Sequence, residues 1–119
     1  MQRSNIYVTK RIDVREYLDE RGQSPFRTWF DRLDAQAAAR IAIAEVRVAR
    51  GNLSNAKGVG DGVFEIRLDF GPGYRIYFGK DGATIVILLG GGTKRRQQDD
   101  IEAAKSRWHD YKRRKKKEH

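Results

Sequence analysis

The 119 residues include no cysteine, two prolines and one methionine, and the longest strongly apolar run is only Ile85 to Leu89. Without cysteine there is no disulfide framework and no thiolate metal site, which fits a reducing compartment. An apolar run that short cannot span a bilayer, and the start MQRSNIYVTKR lacks the apolar core of a signal peptide, so a cytoplasmic protein with no membrane partner is expected. Acids are also scarce: 16 Asp and Glu stand against 25 Lys and Arg, a formal net charge of +9. That imbalance favours polyanionic partners, and charge alone does not choose among RNA, DNA, an anionic surface and an acidic protein. The length suits a single domain, taken here as residues 1–112, followed by a basic tail at 113–119. The run KRRKKK, Lys112 to Lys117, reads either as a disordered, solubilising end or as a nucleic-acid contact.

Alternation marks residues 6–18 as a half-buried strand, with Ile6, Val8, Ile12, Val14 and Leu18 on one parity. Ser24-Pro25 is a cap followed by a first-turn proline, and Phe26, Trp29, Phe30 and Leu33 form the stripe of the helix it opens. Asp34 recaps, and Ala37, Ile41, Ala44 and Val48 repeat at helical spacing, giving two helices or one kinked helix to about residue 50. Residues 51–62, with four glycines, read as a loop. Strand signals follow at 63–70, 74–78 and 84–89, the last stopped by Gly90-Gly91-Gly92. Residues 95 to about 112 are helical, with Ile101, Ala104, Trp108 and Tyr111 on one face. The order β-α-α-β-β-β-α, with an antiparallel meander at its centre, predicts an α+β fold.

A three-residue Gly71-Pro72-Gly73 loop pairs Phe70 with Tyr74, Leu68 with Ile76 and Ile66 with Phe78, all apolar. It sets Asp69 opposite Arg75 and Arg67 opposite Tyr77, with Glu65 on the same side. A tight two-residue turn at Asp81-Gly82 then puts Ile85, Ile87 and Leu89 on the apolar face and Val86 and Leu88 on the face of Arg75. The last strand is apolar on both sides and is expected to be central, with the C-terminal helix over the more polar face. Arg67, Arg75 and Tyr77 would floor a concave surface there. Arg75 then either makes a cross-strand ion pair with Asp69 or holds a phosphate; Arg67 either stacks on Tyr77 or does the same. Lys94, Arg95 and Arg96 precede the acids of the last helix. Cations at a helix start are unfavourable unless an anion joins them, so the cluster is either screened by solvent or a phosphate site.

Two stretches, GVFEIRLDFGPGYRIYF and TIVILLGGGTKRRQQDDIEAAKSRWHDYK, together with SPFRTWFDRL, resemble the phage-type addiction-module killer proteins, the Gp49-like, HigB-like branch of the RelE toxin superfamily. The resemblance runs from about Ile6 to Lys112. It implies a RelE-like fold and a type II toxin that enters the ribosomal A site and cleaves mRNA without metal or cofactor. It also implies an antitoxin partner with a helix-turn-helix domain. Carried over residue by residue, Arg75 matches the arginine on the scissile phosphate, Arg67 a basic residue of the preceding strand, and Lys94 the basic residue ending the last strand. Lys57, by position, and Tyr77, Arg95 and Arg96 join them as RNA or phosphate contacts. The chain departs from better-studied relatives in two places. It has Asp100 where they carry a tyrosine or histidine, and Glu65 where some carry a lysine; His109 reads as the flank of an amphipathic helix. Two other readings share this fold: a non-enzymatic, ParE-like inhibitor of gyrase, and a plain RNA-binding module.

Overall fold

Both capping signals act in the computed structural model, which describes residues 11–118. Ser24 Oγ accepts from the Arg27 amide at 3.0 Å and Pro25 takes the first helical position, opening α1 (Pro25–Phe30). Asp34 accepts from the Ala37 amide at 2.9 Å and opens α2 (Ala35–Ala49), so there are two helices rather than one with a kink. The remaining elements are β1 (Asp13–Glu16), β2 (Ala56–Gly60), β3 (Val63–Leu68), β4 (Tyr74–Asp81), β5 (Ile85–Thr93), a 3₁₀ turn (Lys94–Arg96) and α3 (Gln97–Lys117). The strands form one sheet in the order β1-β5-β4-β3-β2, antiparallel except where β1 runs parallel to β5. The class is α+β and β5 is an interior strand, as expected. Among the described residues, no helix is long and apolar enough to cross a membrane.

The first strand, the glycine-rich segment and the last helix have other boundaries than the sequence reading gave them. The first strand is short; Ile6 and Val8 lie outside the described residues, and Leu18, expected inward, is 49% exposed. Tyr17 is buried instead, its hydroxyl donating to Asp110 at 2.7 Å. The glycine-rich segment contains β2, an edge strand whose partners come from the backbone of β3 rather than from any alternation of its own. The last helix continues to Lys117, so residues 113–117 are its final turns and not a disordered tail. Lysines and arginines suit a helix C-terminus, where they complement the carbonyl end of the dipole. Three of them are also tethered: Arg113 and Arg114 to Asp110 at 2.5 and 2.6 Å, and Lys115 to Asp81 at 2.5 Å.

Both hairpins depart from the expected register. In the first, Leu68 pairs with Tyr74, Ile66 with Ile76 and Phe64 with Phe78, leaving residues 69–73 as a longer loop. A two-residue shift changes every partner but keeps each side chain on its face. Asp69 therefore does not oppose Arg75; Arg67 does. In the second hairpin, Asp81 pairs with Ile85 across a three-residue turn, with Gly82 at φ +73°. The expected two-residue turn differs by an odd number of steps, so β5 is turned over. Val86 and Leu88 pack with Phe26, Ile41, Ile66, Ile76 and Phe78 beneath α1 and α2. Ile87 and Leu89 pack with Tyr77, Ile101, Ala104 and Trp108 beneath α3.

The ladder between β4 and β5 shifts by one residue between Tyr77 and Phe78, leaving Leu89 as a bulge. Beyond it, Gly90, Gly91 and Gly92 oppose Tyr77, Ile76 and Arg75, so the triple glycine continues the strand instead of stopping it. Each of these glycines is a seat for a side chain of the protein itself. A Cβ would strike the Arg107 guanidinium at Gly90, the Trp29 ring at Gly91 and the Asp100 carboxylate at Gly92. Gly79 likewise seats Trp108, whose ring would lie 2.5 Å from a Cβ there. One tryptophan thus docks on each face of the sheet, and burying a side chain of that size contributes roughly 1.5–3 kcal/mol or more. Gly79→Ala should cost about 1–3 kcal/mol by overpacking. Gly82→Ala, with nothing within 4 Å, should cost only the strain of its positive φ, about 1 kcal/mol. Denaturant melts of the two variants check the order; equal losses would mean that Trp108 is not held as described.

Candidate functional site

At the end of the sheet where α3 begins, β2, β3, β4 and β5 bring two rows of residues together. Lys57, Glu65 and Tyr77 lie side by side in one row, and Arg67, Arg75 and Gly92 in the next. Glu65 has no exposed surface. Its carboxylate accepts from Arg67 Nε at 2.9 Å and from Gln97 Nε2 at 2.8 Å, and Arg75 Nε lies 3.8 Å away. A buried charge is tolerated only when it is paired and hydrogen-bonded, and here the partners come from two strands and the first residue of α3. Burial alone would raise the Glu65 carboxyl. The hydrogen bonds from Arg67 and Gln97 and the charges of Arg67 and Arg75 outweigh it, and the pKa lies below the ordinary glutamate value.

Arg75 is only 5% exposed. Its Nη1 donates to the Gly73 carbonyl at 2.7 Å, and the same oxygen accepts from the Lys94 amide at 2.8 Å. One carbonyl of the hairpin loop therefore ties the buried arginine to the start of the 3₁₀ turn. The expected Asp69 partner is replaced by Glu65, because the register shift carries Asp69 into the exposed loop. Arg67 turns to Glu65 rather than stacking on Tyr77, and about half of its side chain remains exposed. Tyr77 is fully buried, so it offers no open floor to a ligand. Burial, then the charges of Glu65 and Asp100, push its phenol pKa upward and keep it protonated.

Lys57, Lys94, Arg95 and Arg96 are exposed around this buried pair. Arg96 occupies the cap position of α3 without a side-chain capping bond, and its guanidinium reaches Asp99 only at 4.0 Å. Asp100, in the first turn, stands over Gly92. Burial raises its pKa against the pull of Arg96 and Arg107. Among the described residues, the buried side-chain polar atoms without a hydrogen-bond partner are Arg75 Nε, Tyr77 OH and Asp100 Oδ2, and all three belong to this cluster. Such atoms are uncommon in a folded protein, and each costs roughly 1–3 kcal/mol. The sequence reading named the cations but not Glu65 as their hub, nor Gln97. The spacing of Glu65 and Arg67, two apart in a strand, is the signal that puts them on one face.

The architecture matches solved structures. The RelBE2 toxin–antitoxin complex from Mycobacterium tuberculosis aligns with a TM-score of 0.55 at 21% identity, covering 71% of this chain and 99% of that one. A double arginine mutant of the E. coli toxin RelE in the free state aligns with a TM-score of 0.61 at 17% identity, covering 82% of this chain and 97% of the other. The chain has the RelE fold. No family model matches the sequence. An uncharacterized protein of Haemophilus influenzae is 42% identical over 62 residues, which is 51% of this chain; the match spans a little under two thirds, 63%, of that relative's length.

On this RelE fold the Glu65 network is where charge and stability meet. The folded-state pKa of Glu65 is depressed, so its contribution is fully present above the unfolded value and is lost as pH falls through the folded one. Stability should therefore decline on acidification from about pH 5 downward. Glu65→Gln keeps the shape, removes the charge, and should cost about 1–3 kcal/mol at neutral pH. It should also make the acid decline shallower in denaturant melts. An acid decline of unchanged depth in this variant would show that Glu65 does not contribute to it.

Proposed function

We propose that this protein is the toxin of a type II toxin–antitoxin system and cuts messenger RNA at the ribosome. The observation that carries this reading is the cationic rim of Arg67, Lys94, Arg95 and Arg96, with Lys57 beyond it, exposed around a buried Glu65–Arg75 pair on a RelE fold. Cleavage of this kind uses the ribose 2′-hydroxyl. Its oxygen forms a bond to the adjacent phosphorus as its proton leaves to a base. The phosphorus–5′-oxygen bond then breaks, and the leaving oxygen takes a proton. The phosphorane between these steps gathers negative charge, and cations fixed before it forms stabilise it without reorganising.

In this reading Arg67 and Lys94 reach the phosphate, and Arg95, Arg96 and Lys57 hold its neighbours along the strand. Arg75 differs from the role that the resemblance implies. Buried against Glu65, it acts as a positioning residue that holds the Gly73 carbonyl, to which the Lys94 amide is also bound. Tyr77 supports the same floor from within. The Asp100 carboxyl, whose Oδ2 is buried over Gly92, belongs to the packing at the start of α3 rather than to the open rim. A partner antitoxin is supported by the RelBE2 neighbour, which is a toxin–antitoxin complex; we assign that antitoxin a helix-turn-helix domain.

Lys94 gives the clean test, because it is exposed and its removal relieves repulsion at the helix start. Lys94→Ala should lower cleavage on translating ribosomes by about a hundred- to a thousand-fold. It should leave the fold unchanged or stabilise it by about 0.3–1 kcal/mol at low salt. Full activity in this variant would remove Lys94 from the site. Arg75→Ala is less informative, because it leaves Glu65 short of a partner and should cost about 3–5 kcal/mol. In cells, a short induction of the chain should arrest growth and produce codon-linked cuts in primer-extension maps. DNA damage without cuts would point to gyrase, and growth arrest with neither would leave RNA binding alone.

A further inference from the structure

Gln97 is half-buried at the first position of α3, and one end of its amide is fixed by a neighbour that can only accept. Its Nε2 donates to Glu65 Oε2 at 2.8 Å. Glu65 has no exposed surface, and its other oxygen accepts from Arg67 Nε at 2.9 Å. Its pKa lies below the ordinary glutamate value, so it is ionised near neutral pH and has no proton to give. Turning the amide over would set Oε1 against this carboxylate, two acceptors with no hydrogen between them. Glu65 therefore decides which way the amide faces: the NH₂ end inward and the carbonyl outward. Among the described residues no donor bonds to Gln97 Oε1, and Oε1 is not one of the buried polar atoms without a partner, so it is open to solvent.

The surroundings restrict what this oxygen can bind. Arg67 shares the Glu65 carboxylate with Gln97, and the 3₁₀ turn Lys94–Arg96 immediately precedes it, so a neutral acceptor stands beside exposed cations. A phosphate oxygen is itself an acceptor and gains nothing from Oε1; the cations take the phosphate, and Oε1 is left for a donor. RNA offers two kinds of donor near a phosphate: the ribose 2′-hydroxyl and the N–H groups of a base. The hydroxyl is the nearer, on the sugar joined directly to that phosphate, and every nucleotide of RNA has it whatever its base. We infer that Gln97 orients the attacking 2′-hydroxyl, its Oε1 accepting the hydroxyl hydrogen and leaving a lone pair of that oxygen directed at the phosphorus. The inference rests on the reading of this protein as an RNA-cleaving toxin, and gives a residue to the nucleophile that the reading leaves without one. A neutral amide takes no proton, so Gln97 holds the nucleophile without activating it, as a glutamine orients the attacking water in some phosphoryl-transfer sites. The buried Glu65 then acts on the RNA at one remove, by setting the direction of the acceptor that the sugar meets.

The test uses the full chain, fluorescently labelled, and ribosomes programmed with an mRNA that carries one altered sugar. A 2′-amino group keeps a donor and a 2′-fluoro group keeps only an acceptor. Neither is cut, so both report binding alone. At the nucleotide on the 5′ side of the mapped cut, wild type should bind the 2′-amino complex about tenfold more tightly than the 2′-fluoro complex, with no preference at the next nucleotide. Gln97→Lys keeps a donor for Glu65 and removes the outward acceptor. It should lose the preference, bind at least as tightly as wild type binds the 2′-fluoro complex, and cut all-ribose mRNA more slowly. Gln97→Met adds no charge and should lose the preference as well, which separates the loss from the effect of a new cation. A preference that survives in either variant, with the melting temperature held, would overturn the assignment and leave the RNA reading standing. So would a wild type that binds and cuts yet is indifferent to the two sugars. A base preference that these variants change, with the sugar preference intact, would make a base N–H the donor and overturn it too. Wild type that neither binds programmed ribosomes nor cuts their mRNA would overturn the toxin reading itself, and this inference with it.

Discussion

A carboxylate with no exposed surface must have its charge answered from within, and in this chain the answer to Glu65 organises one end of the molecule. Arg67 comes from the same strand, Arg75 from the next, and Gln97 from the first residue of α3. Because Arg75 in turn holds the Gly73 carbonyl beside the Lys94 amide, the chain of contacts runs from β3 to the hairpin loop and on to the start of α3. The exposed cations stand on this frame. Their placement is therefore a consequence of a buried polar network, and such networks favour one arrangement over its competitors because every alternative strands a charge.

The hairpin loop at 69–73 is also where the two faces of the sheet approach each other. On one side Phe70 stacks with Tyr74 and carries Arg40 over its ring. On the other, Gly73 binds the buried arginine and the 3₁₀ turn. Within the loop the Phe70 amide donates to the Leu68 carbonyl at 3.0 Å and the Gly73 amide to the Phe70 carbonyl at 2.9 Å. These five residues thus carry contacts on both faces of the sheet.

The sequence was most readable where one physical rule acted alone. Ser24 and Asp34 cap helices because their side chains reach amides three residues on. The stripe of Ile101, Ala104 and Trp108 is buried as its spacing requires. Where two rules competed, the reading failed. Pairing apolar residues across the first hairpin admitted two registers that share the same faces, and the longer loop is the one that lets Glu65 meet Arg75. In the second hairpin, Asp81-Gly82 has the composition of a two-residue turn, yet a three-residue turn pairs Asp81 with Ile85 and turns β5 over. β2 was invisible because it contributes backbone, not pattern. Of the candidate site, the cations were legible from charge, whereas the burial of Arg75 and Tyr77 depends on where α3 lies. Charge counting carries no information about that.

The triple glycine illustrates how a fold can disguise itself as a mechanism. Three consecutive positions each accept one side chain, from α3, α1 and α3 in turn, so the strand end works like a keyway cut for three different keys. Any larger residue there displaces a tryptophan, an arginine or an aspartate from its place. A mutational scan scored only by growth would therefore flag these glycines as strongly as the cations of the proposed site, although none of them has a side chain with which to do chemistry. Their intolerance would record the fit of two helices against one strand, and only a measurement of folding would tell that apart from a lost reaction.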